Sequence, residues 1–137
     1  MSTRTLLDDV HLSPEAEAVF ADIRAARGSG FVNNFWRALA HDPALLSETW
    51  ERVKRVLGET RDGGLDPLTK ELVYIAVSTA NGCSYCVHSH TASARAKGMT
   101  RAMEADLLSV IATAASTNAL ATALQVPTDP DFDAEAK

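Results

Sequence analysis

An all-α fold is predicted from three observations. Long stretches rich in alanine and leucine favour helix over sheet. A cap residue followed by proline, a strong helix-start signal, occurs three times: Ser13-Pro14, Asp42-Pro43 and Asp66-Pro67. Only residues 72–77 have the composition of a strand, and nothing else in the chain offers that strand a partner. The expected architecture is a domain of roughly five to six helices.

Taken in order, Ser13 caps a helix that Pro14 opens and that runs to about Arg27, where Gly28, Ser29 and Gly30 end it. Asn33 caps a short segment reaching about His41. Asp42-Pro43 opens the next helix, to about Leu57, and residues 58–64 read as a polar loop. Asp66-Pro67 starts the helix that contains the ambiguous run Leu-Val-Tyr-Ile-Ala-Val. Helix is preferred there because Leu68, Leu72, Ile75, Ala76 and Thr79 recur at helical spacing. Asn81-Gly82 interrupts it, and a new helix is expected over residues 83–97 with Gly98 as its stop. Thr100 caps the last one, over residues 101–124.

The length of 137 residues suits one domain, expected over residues 1–126, with an acidic, disordered tail at 127–137. That tail sets Asp129, Asp131, Asp133 and Glu135 against Lys137 alone and holds part of the net charge of −5. With no basic stripe, nucleic acid is an unexpected partner. No apolar run approaches the ~20 residues that span a bilayer. Residues 1–10 carry no apolar signal core, so a cytoplasmic location away from membranes is expected. The two cysteines lie three residues apart, which fits a redox pair or a metal site better than a disulfide scaffold.

The stretch from Glu71 to His90 carries the chemistry. At about 100° of turn per residue, a helix starting at Cys83 brings Cys83, Cys86 and His90 within roughly 60° of arc. Cys86 and His90, at i and i+4, are spaced so that they can touch. His88 falls on another face. In a first turn, unpaired backbone N–H groups and the helix dipole favour a thiolate, the reactive form of cysteine. Such surroundings lower a thiol from about 8.5 to as low as 3.5–7.5, and a neighbouring imidazole accepts the proton. A second thiol traps a sulfenic acid as a disulfide before over-oxidation. Glu71, among Leu68, Leu72 and Ile75, is costly to bury without a partner. It is placed to orient His90 or to exchange protons with a cysteine.

Other readings compete at each position. The cysteines also suit two small buried apolar residues, or zinc ligands alongside His88 and His90. Against zinc, all four candidates lie in one continuous segment, so no metal is expected. A thioredoxin-like domain needs a βαβ frame that this chain lacks. His11 and His41 read as structural or solvent-facing, Trp36 and Trp50 as core or interface, and Asp66 as a cap.

Glu71, the run Cys83-Ser84-Tyr85-Cys86 and His90 together resemble the signature of the alkylhydroperoxidase D-like proteins, within the carboxymuconolactone decarboxylase superfamily. Leu65-Asp66, Ala76-Val77-Ser78, Ala80-Asn81-Gly82 and residues 94–98 fit around it. Phe31-Val32-Asn33-Asn34-Phe35-Trp36 followed by His41-Asp42-Pro43 is similar to the segment that precedes it. The likeness covers roughly residues 30–124.

The resemblance implies an all-α fold and homo-oligomers, commonly trimers or hexamers. It implies a peroxidase in which Cys86 attacks the hydroperoxide, Cys83 is the resolving thiol, and His90 and Glu71 form the proton relay. It implies no bound cofactor. The reductant would be an external dithiol, of dihydrolipoamide type in the best-known member, with a peroxiredoxin as a possible partner. That member has histidine where this chain has Tyr85. The decarboxylase branch lacks the Cys-x-x-Cys, which argues against lactone decarboxylation. The two other functions open to the same residues are a general thiol–disulfide oxidoreductase and a non-enzymatic zinc or interaction module.

Overall fold

Pro14, Pro43 and Pro67 each stand at the first position of a helix, as the sequence predicts. The structure, a computed structural model, describes residues 2–132. These hold six α-helices, two 3₁₀ turns and no strand. The chain divides into two compact units, Met1–Gly64 and Leu65–Lys137, with the boundary in the polar loop.

The first unit contains α1 (Pro14–Arg27), α2 (Asn34–Leu39) and α3 (Pro43–Gly58), with α1 and α2 each packed on α3. Ser13 Oγ accepts from the Ala16 N–H at 3.2 Å, and Asp42 Oδ1 accepts from the Leu45 N–H at 3.1 Å. These bonds satisfy N–H groups that the first helical turn leaves unpaired. Phe20, Ile23, Trp36, Leu46 and Trp50 form a buried apolar cluster. Trp36 and Trp50 meet edge to face, ring centres 5.5 Å apart. Both tryptophans are therefore core residues. The polar contacts lie around this cluster: Asp22 accepts from Trp50 Nε1 at 2.6 Å and from Lys54 Nζ at 2.7 Å. The Lys54 bond, then the Trp50 bond, holds the Asp22 carboxyl below its ordinary value.

The second unit contains α4 (Pro67–Ala80), α5 (Ser84–Ala96) and α6 (Arg101–Ala123). Both α5 and α6 pack on α4. Residues 72–77 are helical, and of their β-branched side chains Ile75 is buried while Val73 and Val77 are exposed. Ile75, Ala94 and Met99 are buried, with Leu68, Leu72, Met103 and Leu107 packed around them. Thr100 Oγ1 caps α6 by accepting from the Met103 N–H at 3.1 Å. No residue of α6 is buried, and Leu108, Val110 and Leu120 are exposed.

The 3₁₀ turns at Asp9–His11 and Pro130–Phe132 had no clear sequence signal. The second falls within the segment expected to be a disordered tail, and residues 133–137 of that segment lie outside the described residues.

Candidate active site

The site begins with the turn that joins α4 to α5. Gly82 takes φ +69°, a left-handed conformation that favours glycine. Its N–H bonds to the Thr79 carbonyl at 3.1 Å, and the Cys83 N–H bonds to the Ser78 carbonyl at 2.9 Å. This pair of bonds is a Schellman motif closing α4. The residue that completes it, Cys83, is also the N-cap of α5. Cys83 therefore stands one residue before the helix, not in its first turn as expected, because its backbone (φ −88°, ψ 88°) still serves the turn. Its Sγ accepts from the Cys86 N–H at 3.3 Å. The Cys83 and Cys86 Cα atoms are 5.4 Å apart, and the two sulfurs form a disulfide.

Glu71 stands on the second turn of α4 and is 2% exposed. Its partners all come from α5 and that helix's C-cap residue, Lys97. Oε2 accepts from His90 Nδ1 at 2.6 Å. Oε1 accepts from Ser93 Oγ at 2.7 Å and from Lys97 Nζ at 2.8 Å. Lys97 Nζ also donates to Ser93 Oγ at 2.6 Å. Tyr74, one turn along α4 from Glu71, stacks on the His90 ring at 3.6 Å between centres.

Burial alone would raise the Glu71 carboxyl. The bonds from His90, Lys97 and Ser93, with the Lys97 charge, outweigh it and bring the value down to about 2. An ionised carboxylate only accepts hydrogen bonds, so His90 Nδ1 carries the proton it shares with Glu71. In the neutral imidazole, Nε2 is then a free base.

The structure thus joins Glu71 to His90 and Cys83 to Cys86, and the i, i+4 spacing on α5 relates Cys86 to His90. His88 is exposed. Asp66 caps α4, accepting from the Leu68 and Thr69 N–H groups at 2.9 and 3.0 Å. Among the described residues, no three His, Cys, Asp or Glu side chains converge in a way that would hold a metal ion.

The family model for the carboxymuconolactone decarboxylase family matches residues 44–129. The chain belongs to that family. It is similar to the alkylhydroperoxidase AhpD core of Rhodospirillum rubrum: the two are 63% identical with a TM-score of 0.91, over 96% of this chain and 97% of that one. It is 34% identical to an alkyl hydroperoxide reductase AhpD of Solibacter usitatus over 83% of this chain. A second protein of that name, from Koribacter versatilis, is 30% identical over 64% of this chain. The matches span 62% and 46% of the lengths of these two relatives.

Three residues of the site were missed in the sequence: Tyr74, Ser93 and Lys97. A signal for two of them was present. Cys86, His90, Ser93 and Lys97 follow a 4-3-4 spacing, which puts all four on one helix face. Tyr74 had no such mark, because an aromatic residue among apolar neighbours reads as core.

Proposed function

We propose that this protein is a thiol-dependent hydroperoxide reductase running a dithiol–disulfide cycle between Cys86 and Cys83. The observation that carries the reading is the disulfide at the start of α5, one helical turn before a histidine whose Nδ1 is held by an ionised carboxylate. The family membership and the names of its relatives support it.

The cycle starts from the reduced pair. His90 Nε2 takes the Cys86 proton, and Glu71 steadies the imidazolium that results. The Cys86 thiolate attacks the terminal oxygen of the hydroperoxide. The O–O bond breaks, an S–O bond forms, and the imidazolium returns its proton to the departing alkoxide, giving an alcohol and Cys86 sulfenic acid. The Cys83 thiol condenses with that acid, releasing water and forming the disulfide. An external dithiol, of dihydrolipoamide type, reopens the disulfide by exchange and leaves oxidised. The cycle needs no metal or organic cofactor, and the oxidised dithiol or a peroxiredoxin partner links it to the cell's thiol pool. A cytoplasmic setting suits a disulfide that must be reduced at each turn.

The same reading takes the working unit as a homo-oligomer, a trimer or hexamer. In support, residues 107–126 carry no charge, and α6 buries none of its residues within the single chain.

The test is a thiol count by mass spectrometry on reduced protein, before and after one equivalent of an organic hydroperoxide. Selective formation of the Cys83–Cys86 disulfide, far faster than a free thiol reacts, is expected. Two surviving thiols would overturn the reading. Reaction with protein disulfides in that case would select a general thiol–disulfide oxidoreductase.

A further inference from the structure

We infer that Lys97 is a positioning residue of this site: with Ser93, its ammonium fixes Glu71 as a permanent acceptor, so that protons travel through His90 and not through the carboxylate. The inference rests on the proposed roles of Cys86 and His90, and it assigns Glu71 a narrower part than proton relay.

The geometry divides the carboxylate in two. Oε2 serves His90 alone, while Oε1 is shared by Ser93 Oγ and Lys97 Nζ. Lys97 and Ser93 also bond to each other, which closes a triangle on Oε1. Every donor aimed at Glu71 favours its ionised form, and its 2% exposure keeps water from competing. Lys97 is held in place by the chain itself. It is the C-cap of α5, where a cation suits the helix dipole, and Gly98 turns the backbone away behind it at φ +96°.

The other groups around the pair leave this role to Lys97. On α5, Arg95 is engaged with Glu104 of α6 at 2.9 Å. On α4, Tyr74 covers the His90 ring. The Lys97 ammonium lies against the Glu71 carboxylate at 2.8 Å, so the pair is neutral as a unit. Removing the ammonium takes one positive charge from the cluster. The remaining groups then hold their protons more tightly, and Cys86 ionises at higher pH. Lys97 is 35% exposed along its side chain, which trims the effect by solvent screening.

The experiment follows alkylation of Cys86 in the reduced full chain, resolved by mass spectrometry, across the pH range in which thiols ionise. Lys97→Met is expected to move the midpoint upward by roughly half to one pH unit, slowing alkylation at neutral pH about three- to tenfold. Lys97→Arg, which keeps the charge, should restore most of the wild-type profile. Ser93→Ala removes a neutral donor and should move the midpoint less than Lys97→Met. Arg95→Met makes the same charge change outside the triangle and should leave the midpoint in place. If Lys97→Met loses the helical circular-dichroism spectrum, Lys97→Gln is used instead and should show the same upward shift.

A wild-type midpoint in the Lys97 variant, or an equal shift in Arg95→Met, would overturn the inference. Alkylation needs no peroxide, so the two hypotheses fail separately. Peroxide turnover with no Lys97 effect removes only the positioning role. A Lys97 effect in a protein that ignores peroxide removes only the peroxidase reading.

Discussion

Among the described residues, the unit Met1–Gly64 buries eight apolar side chains in one cluster, whereas the unit Leu65–Lys137 buries three and sets a carboxylate beside them. In the first unit, the acids Asp9 and Asp22 take their partners at the edge of the cluster. In the second, Glu71 is almost fully enclosed, and three polar side chains converge on it. The first arrangement is what packing alone asks for. The second is expensive: an uncompensated buried carboxylate costs several kcal/mol. The comparison teaches that the polar cluster between α4 and α5 needs a reason beyond holding the chain together, and the thiol chemistry proposed at Cys86 supplies one.

The largest effect that tests this contrast is on turnover. Cys86→Ser should abolish hydroperoxide reduction, and near-normal activity in a steady-state assay would remove Cys86 as the nucleophile. Cys83→Ser should still react with peroxide once and then fail to recycle. His90→Ala should raise the pH at which Cys86 becomes reactive, and an unchanged alkylation profile would take His90 out of the mechanism.

Next comes the apolar unit. Phe20 is fully buried, so Phe20→Ala should destabilise by about 4 kcal/mol in denaturant unfolding. That loss should be the same at every pH, because no ionisable group is removed. A loss below about 1 kcal/mol would mean that the cluster collapses around the gap and matters less than its burial suggests.

The polar unit should differ in that respect. Glu71 is held at about 2 against an ordinary 4.5, so its folded form binds protons more weakly than its unfolded form. Its contribution is therefore complete above pH 4.5 and is lost as the pH falls through 2. The integrated amount is roughly 3 kcal/mol. Glu71→Gln should flatten that part of the stability–pH curve, measured by unfolding at a series of acidic pH values. An unchanged acid slope would show that the carboxylate is not held as the hydrogen bonds indicate.

The smallest effect concerns a helix cap. Ser13→Ala removes the acceptor for the Ala16 N–H and should cost about 1 kcal/mol, read as a small fall in Tm. It should alter neither the acid slope nor the thiol profile.

Much of this was legible in the sequence because it depends on near neighbours. Ser13-Pro14, Asp42-Pro43, Asp66-Pro67 and Thr100 set helix starts through bonds spanning two or three residues. Gly82 and Gly98 set helix ends through their own backbone conformations. The one-face alignment of Cys86 and His90 needs only the pitch of a helix. Residues 72–77 have a strand-like composition, but the Asp66-Pro67 start and the helical spacing of Leu68, Leu72, Ile75, Ala76 and Thr79 already favour helix. What the tertiary structure decided is which side chains meet across helices. Lys97 lies 26 residues from Glu71, and Ser93 lies 22. Their spacing marked a face of α5 but not what that face opposes. Only the packing of α5 on α4 brings that face to an enclosed carboxylate, and enclosure turns three ordinary polar side chains into a charge-balanced site.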